Sequence, residues 1–339
     1  MNALFSALGV IFGKLMYFIY NTIGFHNYVI SLILFTIVYK LLLLPLSIKQ
    51  IRNTQKMQEF QPELLRLQER YKHDKEKLNE MTMKFYQEKG YNPTSGCLPL
   101  LIQFPILFAL FFVIRMPLTY MMSLPYKAVS EMVVASVEKG EFSKDILKNK
   151  NYDAIKDDPK EVYLAFNQSD PYFEIRLIDS YKRHPEILDE NPTLTEEQKN
   201  LLRNFDLRMF RIFNLGVQPS LSPDKIKQDP GTYVPALILL VFAVIVSYVT
   251  SRLMMPMPKK DPKDKKAKDP NGCAGKSMLY MGPVMTLWIG TIAPSGLSFY
   301  WIINSILSYV QHVLMNIKFK KEKEGKEVAK VGSKGSKDG

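Results

Sequence analysis

Tyr28-Val-Ile-Ser-Leu-Ile-Leu-Phe-Thr-Ile-Val-Tyr-Lys40-Leu-Leu-Leu-Leu-Pro45-Leu-Ser-Ile48 is an apolar run that carries a single charge. A run of this length crosses a bilayer, which takes about 20 apolar residues. A charge near the centre of such a helix costs about 2.5–3.5 kcal/mol on insertion scales. The run therefore predicts that Lys40 faces protein or a water-filled cavity and not lipid. The alternative is snorkelling, although Lys40 lies roughly 12 Å from the inner end of the run and a lysine stem covers about half of that distance.

Four further apolar runs follow in the chain, which makes five predicted spans. Their predicted bounds are residues 28–48, 96–115, 234–254, 277–294 and 297–317. The fourth run is short and contains Pro283, but the turn sequence Pro294-Ser-Gly296 predicts that it forms a membrane hairpin with the fifth. The fold class that these runs indicate is an all-α integral membrane protein.

Residues 1–27 are moderately apolar and carry one charge, Lys14. They lack a basic start and a small-residue cleavage site, which argues against a removed signal peptide. We expect an interfacial amphipathic helix here, and the alternative is an additional span.

The charges of this chain, with its net charge of +12, are distributed unevenly between the spans. Residues 49–90 have 10 Lys/Arg against 7 Asp/Glu, residues 252–276 have 8 against 3, and residues 318–339 have 8 against 4. Residues 116–233 have 16 against 19 and form the only net-acidic segment among these four. The positive-inside rule places the three basic segments in the cytoplasm and the acidic one outside. We therefore expect an N-terminus outside and a C-terminus in the cytoplasm of a multi-pass protein.

Two segments between the spans are large enough to have structure of their own. Residues 49–95 are rich in helix formers and predict a cytoplasmic helical hairpin with its turn near residues 71–74 and Pro62 within or at the start of a helical segment. This hairpin is either a solvated linker or a contact arm whose methionines suit adaptable docking. Residues 116–233 predict a mostly helical extracytoplasmic insert, with a helical pattern over residues 195–213. Residues 255–276 and 318–339 are predicted as a basic cytoplasmic loop and a basic cytoplasmic tail.

Polar residues recur at helical spacing within several predicted spans. Thr36 and Ser47 lie within about 40° of Lys40 on a helix of 100° per residue. Other polar positions in the spans are Gln103, Ser247, Thr250, Ser251, Ser298, Trp301, Asn304, Ser305, Ser308, Gln311 and His312. Such stripes predict a hydrated cavity, and the alternative is hydrogen bonding between helices.

Enzymatic and metal-binding motifs are absent from the sequence. It contains no G-x-S-x-G, H-E-x-x-H, P-loop or G-x-G-x-x-G pattern, and its four histidines are scattered. Cys97 and Cys273 both fall in predicted cytoplasmic regions, which argues against a disulfide framework, and four-ligand zinc spacing is missing. We therefore expect no enzymatic activity, no catalytic residues, no cofactor and no metal.

Three stretches of the chain together resemble the signatures of a known family. They are Lys40-Leu-Leu-Leu-Leu-Pro45-Leu-Ser-Ile-Lys-Gln50, Asn92-Pro-Thr-Ser-Gly-Cys97-Leu-Pro-Leu-Leu-Ile-Gln103-Phe-Pro105 and Pro294-Ser-Gly-Leu-Ser-Phe-Tyr-Trp301-Ile-Ile-Asn304. On these residues the chain resembles the YidC membrane-protein insertase family, over roughly residues 1–115 and 205–320. The uncleaved N-terminus is similar to that of the Gram-positive type, whereas relatives with such a short N-terminus have a brief loop in place of residues 116–233.

The resemblance implies a five-helix bundle with a hydrophilic groove that opens to the cytoplasm and to lipid. The groove residues that the resemblance implies are Lys40, Gln103, Trp301 and Asn304, and the polar stripes add Thr36, Ser47, Ser247, Ser305 and Ser308 as candidates. The family has an arginine at the position of Lys40, so the charge is kept here while the bidentate fork is lost. The implied partners are nascent membrane proteins and the lipid bilayer, with a Sec-type translocon and the ribosome as further candidates, and no nucleic acid is expected.

The sequence therefore predicts an insertase and chaperone of the bacterial plasma membrane that works without nucleotide hydrolysis. A rival interpretation is a transporter of small solutes or anions with Lys40 as its binding charge, although no inverted repeat is visible. A third is an anchor whose outer segment alone is functional.

Overall fold

The computed structural model describes residues 3–91, 98–147, 151–254 and 273–335. Within these ranges the chain is mainly helical and has one two-stranded antiparallel sheet. The chain divides into two compact units. The first unit comprises Met1–Val38, Gln103–Val244 and Met285–Trp301, and the second comprises Tyr39–Ile102, Ile245–Val284 and Ile302–Gly339. Cys97 and most of the predicted basic loop, residues 255–272, lie outside the described residues.

The N-terminal third is built from long helices. Helix α1 spans Ala3–Asn21, α2 spans Tyr28–Leu42 and α3 spans Leu44–Arg70. Helices α2 and α3 meet at a 68° bend, so the first predicted span is bent shortly after Lys40 and is not straight. Pro45 explains the bend, because proline has no N–H to donate and its ring clashes with the carbonyl four residues before it.

The predicted hairpin segment consists of α3 and α4, which spans Lys75–Glu88, with residues 71–74 between them. Asp74 begins α4 by accepting a hydrogen bond from the Lys77 N–H at 3.0 Å. Phe60 and Phe85 pack edge to face with their ring centroids 5.7 Å apart. Pro62 lies inside α3 and leaves it continuous. The two helices therefore contact each other through a small aromatic cluster.

The other predicted spans correspond to four helices. They are α5 (Leu98–Arg115), α14 (Pro230–Met254), α15 (Cys273–Ile292) and α16 (Ser295–Gly335). Of the described helices, α14 is long and apolar enough to cross a membrane, and the bent pair α2–α3 also qualifies if it is one span. Gln103–Arg115 and Leu279–Ile292 are shorter apolar helical segments. Helix α16 continues beyond the predicted span end at residue 317 into the basic tail.

Residues 116–233 form a series of short elements in the first unit. These are α6 (Pro117–Tyr120), α7 (Tyr126–Glu138), a 3₁₀ turn (Lys144–Ile146), α8 (Tyr152–Ile155), α9 (Pro159–Ser169), α10 (Phe173–Arg183), α11 (Glu186–Asp189), α12 (Glu196–Asn204), β1 (Arg208–Met209), β2 (Phe213–Asn214) and α13 (Pro223–Gln228). Their core includes the fully buried Phe166, Phe173, Tyr181 and Phe205. The insert is thus mostly helical and has a hydrophobic core.

The helical pattern predicted over residues 195–213 is wrong in its second half. Helix α12 ends at Asn204, and β1 and β2 then pair antiparallel with Arg208 opposite Asn214. Phe210 and Arg211 have φ angles of 53° and 60°, which a right-handed helix does not allow. Leu207 and Leu215 are buried at the base of this β-hairpin, whereas Phe210, which belongs to the predicted apolar pattern, is 81% exposed.

Candidate functional site

Lys40 contacts the polar side of α16 within the second unit. Its Nζ donates a hydrogen bond to Ser308 Oγ at 2.6 Å, and Ser308 Oγ in turn donates to the Asn304 carbonyl oxygen at 2.7 Å. Tyr39 donates from its hydroxyl to Asn304 Oδ1 at 2.6 Å. The predicted site residues Lys40, Asn304 and Ser308 are therefore brought together by two adjacent residues of α2 and one face of α16.

The Lys40 ammonium is paired with a neutral group. Among the described residues, no carboxylate lies within ion-pair distance of it. The side chain is half-buried, whereas the following Leu41 and Leu42 are 61% and 70% exposed. The apolar side of α2 thus faces outward at this level, and the charge points toward a hydroxyl. This arrangement differs from a snorkelling lysine, which extends along the helix surface toward the interface.

A line of polar side chains continues along α16. Asn304, Ser308, His312 and Asn316 recur every four residues, and we call them the polar ladder. Asn316 Nδ2 lies 2.9 Å from His312 Nε2, and Gln55 on α3 donates to Asn316 Oδ1 at 2.5 Å. Because an amide nitrogen only donates, His312 Nε2 accepts, so the imidazole is neutral in this geometry. The ladder therefore carries hydrogen-bonding capacity without negative charge.

The end of the ladder lies beside a basic residue of α3. Arg52 stacks over the Phe319 ring, with its guanidinium carbon 4.9 Å from the ring centroid, and it lies 3.7 Å from Glu322. This ion pair is exposed on both sides and contributes about 0–1 kcal/mol. The buried Phe319 ring contributes the larger apolar contact between α3 and α16.

Three predicted groove residues lie in the first unit. Gln103 on α5 donates from Nε2 to the Tyr300 hydroxyl at 2.7 Å, and Trp301, next to Tyr300, is 6% exposed. Thr36 is buried and donates to the Leu32 carbonyl of its own helix at 2.7 Å. The Thr36 hydroxyl is thus hydrogen-bonded within its own helix, whereas Gln103 makes a hydrogen bond between two helices.

The remaining predicted residues belong to the second unit. Ser47 donates to the Leu43 carbonyl of its own turn at 3.1 Å and is half-buried. Ser247 on α14 is 9% exposed, and its Oγ is 3.6 Å from the position a Cβ on Gly282 of α15 would take. Ser305 is half-buried on α16. Ser247 therefore packs against α15 at Gly282 with ordinary van der Waals spacing.

The insert satisfies the ends of the last two helices in the first unit. Gln218 and Tyr172 donate to the carbonyls of Thr291 and Ile292 at 2.9 and 2.6 Å, where the last carbonyls of α15 have no helical partner. At the start of α16, the N–H groups of Ser295 and Gly296 donate to the carbonyls of Val217 and Leu215 at 2.7 and 2.6 Å. The predicted turn at residues 294–296 is thus held by the C-terminal part of the insert.

A buried carboxylate ties the insert to the end of α5. Glu174 is fully buried and accepts from the N–H groups of Leu118 and Thr119 at 2.8 and 3.1 Å and from the Thr119 hydroxyl at 2.5 Å. Burial raises the pKa of the Glu174 carboxyl to about 7, against the opposing effects of these hydrogen bonds and of Arg115. Glu174 therefore anchors the insert, and burial makes its ionised form unfavourable.

Several of these contacts were not predicted from the sequence. Tyr39 lies about 100° from Lys40 on the helix, outside the stripe that Thr36 and Ser47 define. Asn316 lies within the predicted span 297–317 and extends the four-residue spacing of Asn304, Ser308 and His312, so that spacing could have found it. Glu174 carries no sequence pattern that separates it from the other acidic residues of the insert.

The family model for the 60Kd inner membrane protein matches residues 18–173 and 197–323, which is most of the chain. The chain belongs to this family. The match includes α2, the α3–α4 hairpin and most of α16, and it confirms the resemblance to the YidC membrane-protein insertase family. It also makes the chain a mostly helical member of an integral membrane family of bacterial cell membranes.

Individual relatives in the family are described as membrane protein insertases. The chain is 58% identical over 87 residues to "Membrane protein insertase YidC" of Clostridium perfringens, which covers 26% of this chain and 37% of that protein. It is 49% identical over 89 residues to the Fusobacterium nucleatum protein of the same name, covering 26% and 43%. "Membrane protein insertase YidC 2" of Listeria innocua is 24% identical over 307 residues, covering 89% and 69%. The chain thus spans less than half the length of the first two relatives.

Proposed function

We propose that this chain inserts nascent membrane proteins into the bacterial plasma membrane. Family membership supports the proposal, and so does the description of its relatives as insertases. Insertion is not a chemical reaction on a substrate, which agrees with the expectation that the chain is not an enzyme. The single structural observation that carries the mechanism is the Lys40 ammonium, which is half-buried on an apolar helix and bonded to the neutral Ser308 hydroxyl.

The proposed topology has five spans, with the N-terminus outside and the C-terminus in the cytoplasm. In this topology the α3–α4 hairpin and the basic segments are cytoplasmic, residues 116–233 are extracytoplasmic, and α1 lies at the membrane interface. The charge balance of these segments supports this order. Proline inside α5 and α15 is compatible with spanning helices, because neighbouring groups in a membrane protein satisfy the freed carbonyls.

In the proposed mechanism the hairpin meets the substrate first, and Lys40 then attracts an acidic or polar segment toward the inner leaflet. The polar ladder and the other predicted groove residues, Thr36, Ser47, Gln103, Ser247, Trp301 and Ser305, provide hydrogen-bonding partners along the way. Release into lipid is driven by the apolar surface of the substrate, which gains about 25 cal/mol per Å² on leaving water. The membrane potential assists outward movement of negative residues by about 2.3 kcal/mol per charge per 100 mV.

The proposed partners are nascent membrane proteins and the lipid bilayer. A Sec-type translocon and the ribosome are further proposed partners. The basic residues at the end of α16 support contact with an anionic surface, and the bilayer and the ribosome both present one.

The test is insertion of a single-spanning substrate into liposomes that contain the purified protein. Two substrates are compared, one with an acidic N-terminal tail and one in which Asn and Gln replace the acids. Lys40→Met is expected to reduce insertion of the acidic substrate roughly tenfold, because opposite charges about 10 Å apart attract by roughly 1.7 kcal/mol at an effective dielectric of about 20. Lys40→Arg should retain insertion, and insertion of the neutral substrate should change little.

Lys49→Met is the matched control, since Lys49 is exposed at the end of the predicted span. If Lys40→Met and wild type insert the acidic substrate equally, the charge is not part of the mechanism. If wild type inserts neither substrate but takes up a small anion in a Lys40-dependent way, the transporter interpretation replaces this one.

A further inference from the structure

The β-hairpin of the insert ends in an exposed apolar tip. Phe210 is 81% exposed and Ile212 is 59% exposed, and we call Phe210, Arg211 and Ile212 the hairpin tip. The base of the same hairpin is buried at Leu207 and Leu215. Large apolar side chains at the end of a rigid projection remain in contact with water unless another apolar phase covers them.

The tip also has an unusual backbone. The strand pairing of Met209 with Phe213 leaves Phe210, Arg211 and Ile212 as a three-residue loop, in which Phe210 and Arg211 both have positive φ angles and the Ile212 N–H donates to the Met209 carbonyl at 3.1 Å. Gly and Asn are the residues that adopt positive φ most readily, because bulky side chains fit poorly there. Phe-Arg therefore strains the turn, and turn stability does not explain these two residues. Strained residues of this kind point to a role for the side chains.

A second apolar loop lies close to the base of the hairpin. The loop between α1 and α2 exposes Ile23 at 50% and Phe25 at 79%, and Phe25 also has a positive φ of 53°. Tyr20 and Tyr28 flank this loop, and the centroids of both rings lie within 6 Å of the Phe205 ring centroid, at 5.7 and 5.6 Å. The aromatic contacts thus hold the loop next to the segment that leads into β1.

A backbone hydrogen bond places the base of the hairpin, and chain connectivity places the α1–α2 loop, near ends of the spanning helices. Leu215, which follows β2, accepts from the Gly296 N–H at 2.6 Å, at the turn where α16 begins. Arg211 lies four positions before Leu215, a reach of at most about 13 Å for an extended chain. The α1–α2 loop directly precedes Tyr28, the first residue of α2. In the proposed topology, the residue 294–296 turn and the start of α2 both lie at the outer membrane surface.

We propose that the hairpin tip and the α1–α2 loop enter the outer leaflet of the membrane that holds the protein. The apolar side chains of Phe210, Ile212, Ile23 and Phe25 enter the boundary between head groups and acyl chains, as the apolar residues of interfacial segments do. Arg211 is exposed and, among the described residues, forms no ion pair, so it is free to bind a lipid phosphate. Two loops from distant parts of the chain thereby fix the insert against the lipid surface. This inference depends on the proposed topology.

The experiment uses the full-length chain with Cys97→Ser and Cys273→Ser, reconstituted in phosphatidylethanolamine–phosphatidylglycerol vesicles. Single cysteines at Phe210→Cys or Phe25→Cys carry an environment-sensitive NBD fluorophore. Glu197→Cys is the matched control, because Glu197 is exposed on α12 of the same insert. We expect emission at shorter wavelength at positions 210 and 25 than at 197. We also expect loss of intensity at 210 and 25, and not at 197, when lipids with a doxyl group near the top of the acyl chain are included.

Two results would overturn the inference. Labels at 210 and 25 that emit like the label at 197 place both loops in water. A shift to shorter wavelength without doxyl quenching means that protein, such as a second copy of this chain, covers the tip. An error in the proposed topology can be distinguished from an error in this inference. A membrane-impermeant maleimide added outside intact cells reacts with Glu197→Cys only if the insert is extracytoplasmic.

A second variant separates membrane contact from folding. Phe210→Asn with Arg211→Gly places residues that tolerate positive φ at both positions, so the β-hairpin should form at least as well as in the wild type. A label at Ile212→Cys should be quenched by doxyl lipids in the parent chain and lose that quenching in this variant. If quenching persists, Phe210 and Arg211 do not hold the tip in lipid, and the assignment of the contact to them is wrong.

Discussion

Glu174 in the first unit and Lys40 in the second are both ionisable groups removed from bulk water, but their surroundings differ. Glu174 accepts three hydrogen bonds from Leu118 and Thr119, and Arg115 provides a positive charge nearby. Lys40 donates to one neutral hydroxyl, that of Ser308. An ionisable group whose hydrogen-bonding capacity is satisfied within the protein contributes to the fold. A charge whose partner is a neutral hydroxyl remains able to attract a charged ligand.

The insert in the first unit and the α3–α4 hairpin in the second differ in the same sense. The insert around Glu174 has a core with several fully buried aromatic rings, including Phe173 and Tyr181. In the described part of α3 and α4, Leu64 and Phe85 are the buried residues, and the rest of the hairpin is partly or fully exposed. We therefore expect substitutions in the first unit to affect stability and substitutions in the second to affect local order and insertion.

The largest effect is expected for Glu174→Ala. The change leaves the buried Leu118 N–H and the partly buried Thr119 N–H without their acceptor, at a cost of about 2–5 kcal/mol, while the Thr119 hydroxyl keeps its contact with Tyr163. Hydrogen exchange at pH 5 should show faster opening of residues 117–122 and of α10. Glu174→Gln is the matched control, since its amide oxygen still accepts from both N–H groups. Unchanged exchange in Glu174→Ala would mean that Glu174 does not anchor the insert.

The next effect is a pH dependence of the same anchor. Because the folded-state pKa of about 7 lies above the ordinary value of 4.5, the folded state favours the protonated carboxyl. This contribution is fully present below about pH 4.5 and is lost as the pH rises through about 7, a change of about 3 kcal/mol. Thermal unfolding between pH 4.5 and 8 should show falling stability in the wild type. The same slope in Glu174→Gln would assign it to another group.

A smaller effect is expected in the hairpin. Phe85 packs against Phe60, and the Lys89 ammonium lies 5.5 Å from the Phe85 ring centroid. Phe85→Ala should destabilise the contact between α3 and α4 by roughly 2 kcal/mol, less than in a full core because solvent reaches the cluster. Faster hydrogen exchange should be confined to residues 55–90. Met83→Ala, exposed on the same helix, is the control and should leave exchange unchanged.

Much of this architecture was predictable because its causes are local in sequence. The long apolar runs predicted the spanning helices, and the proline positions and the alternation of charged and apolar segments predicted the helical hairpin and the mostly helical insert. The bend after Lys40 arises from Pro45, which the sequence displays, but its angle depends on packing. The β-hairpin at residues 208–214 was missed, because an apolar pattern shared by two short strands resembles one helical face.

The candidate site was predictable only in part. Lys40 stands out because a charge in an apolar run is costly wherever the helix lies. Its contact with Ser308 and that of Gln103 with Tyr300 join residues about 200 or more positions apart in the chain, and spacing rules do not reach that far. Tyr39 illustrates the limit, since its hydroxyl bonds Asn304 although the residue lies off the predicted polar stripe.

The smallest effect, and the sharpest test of the comparison, is expected for Ser308→Ala. If Lys40 acts as a charge that a ligand can reach, its ammonium can hydrogen-bond to water after the Ser308 hydroxyl is removed. Insertion of the acidic-tail substrate should then stay within about twofold of wild type. Thr54→Ala is the control, because it removes a hydroxyl that donates to the Gln50 carbonyl of its own helix, α3. A loss in Ser308→Ala as large as in Lys40→Met would show that the lysine works only when held in place. Lys40 would then resemble Glu174, whose role depends on its hydrogen-bond partners.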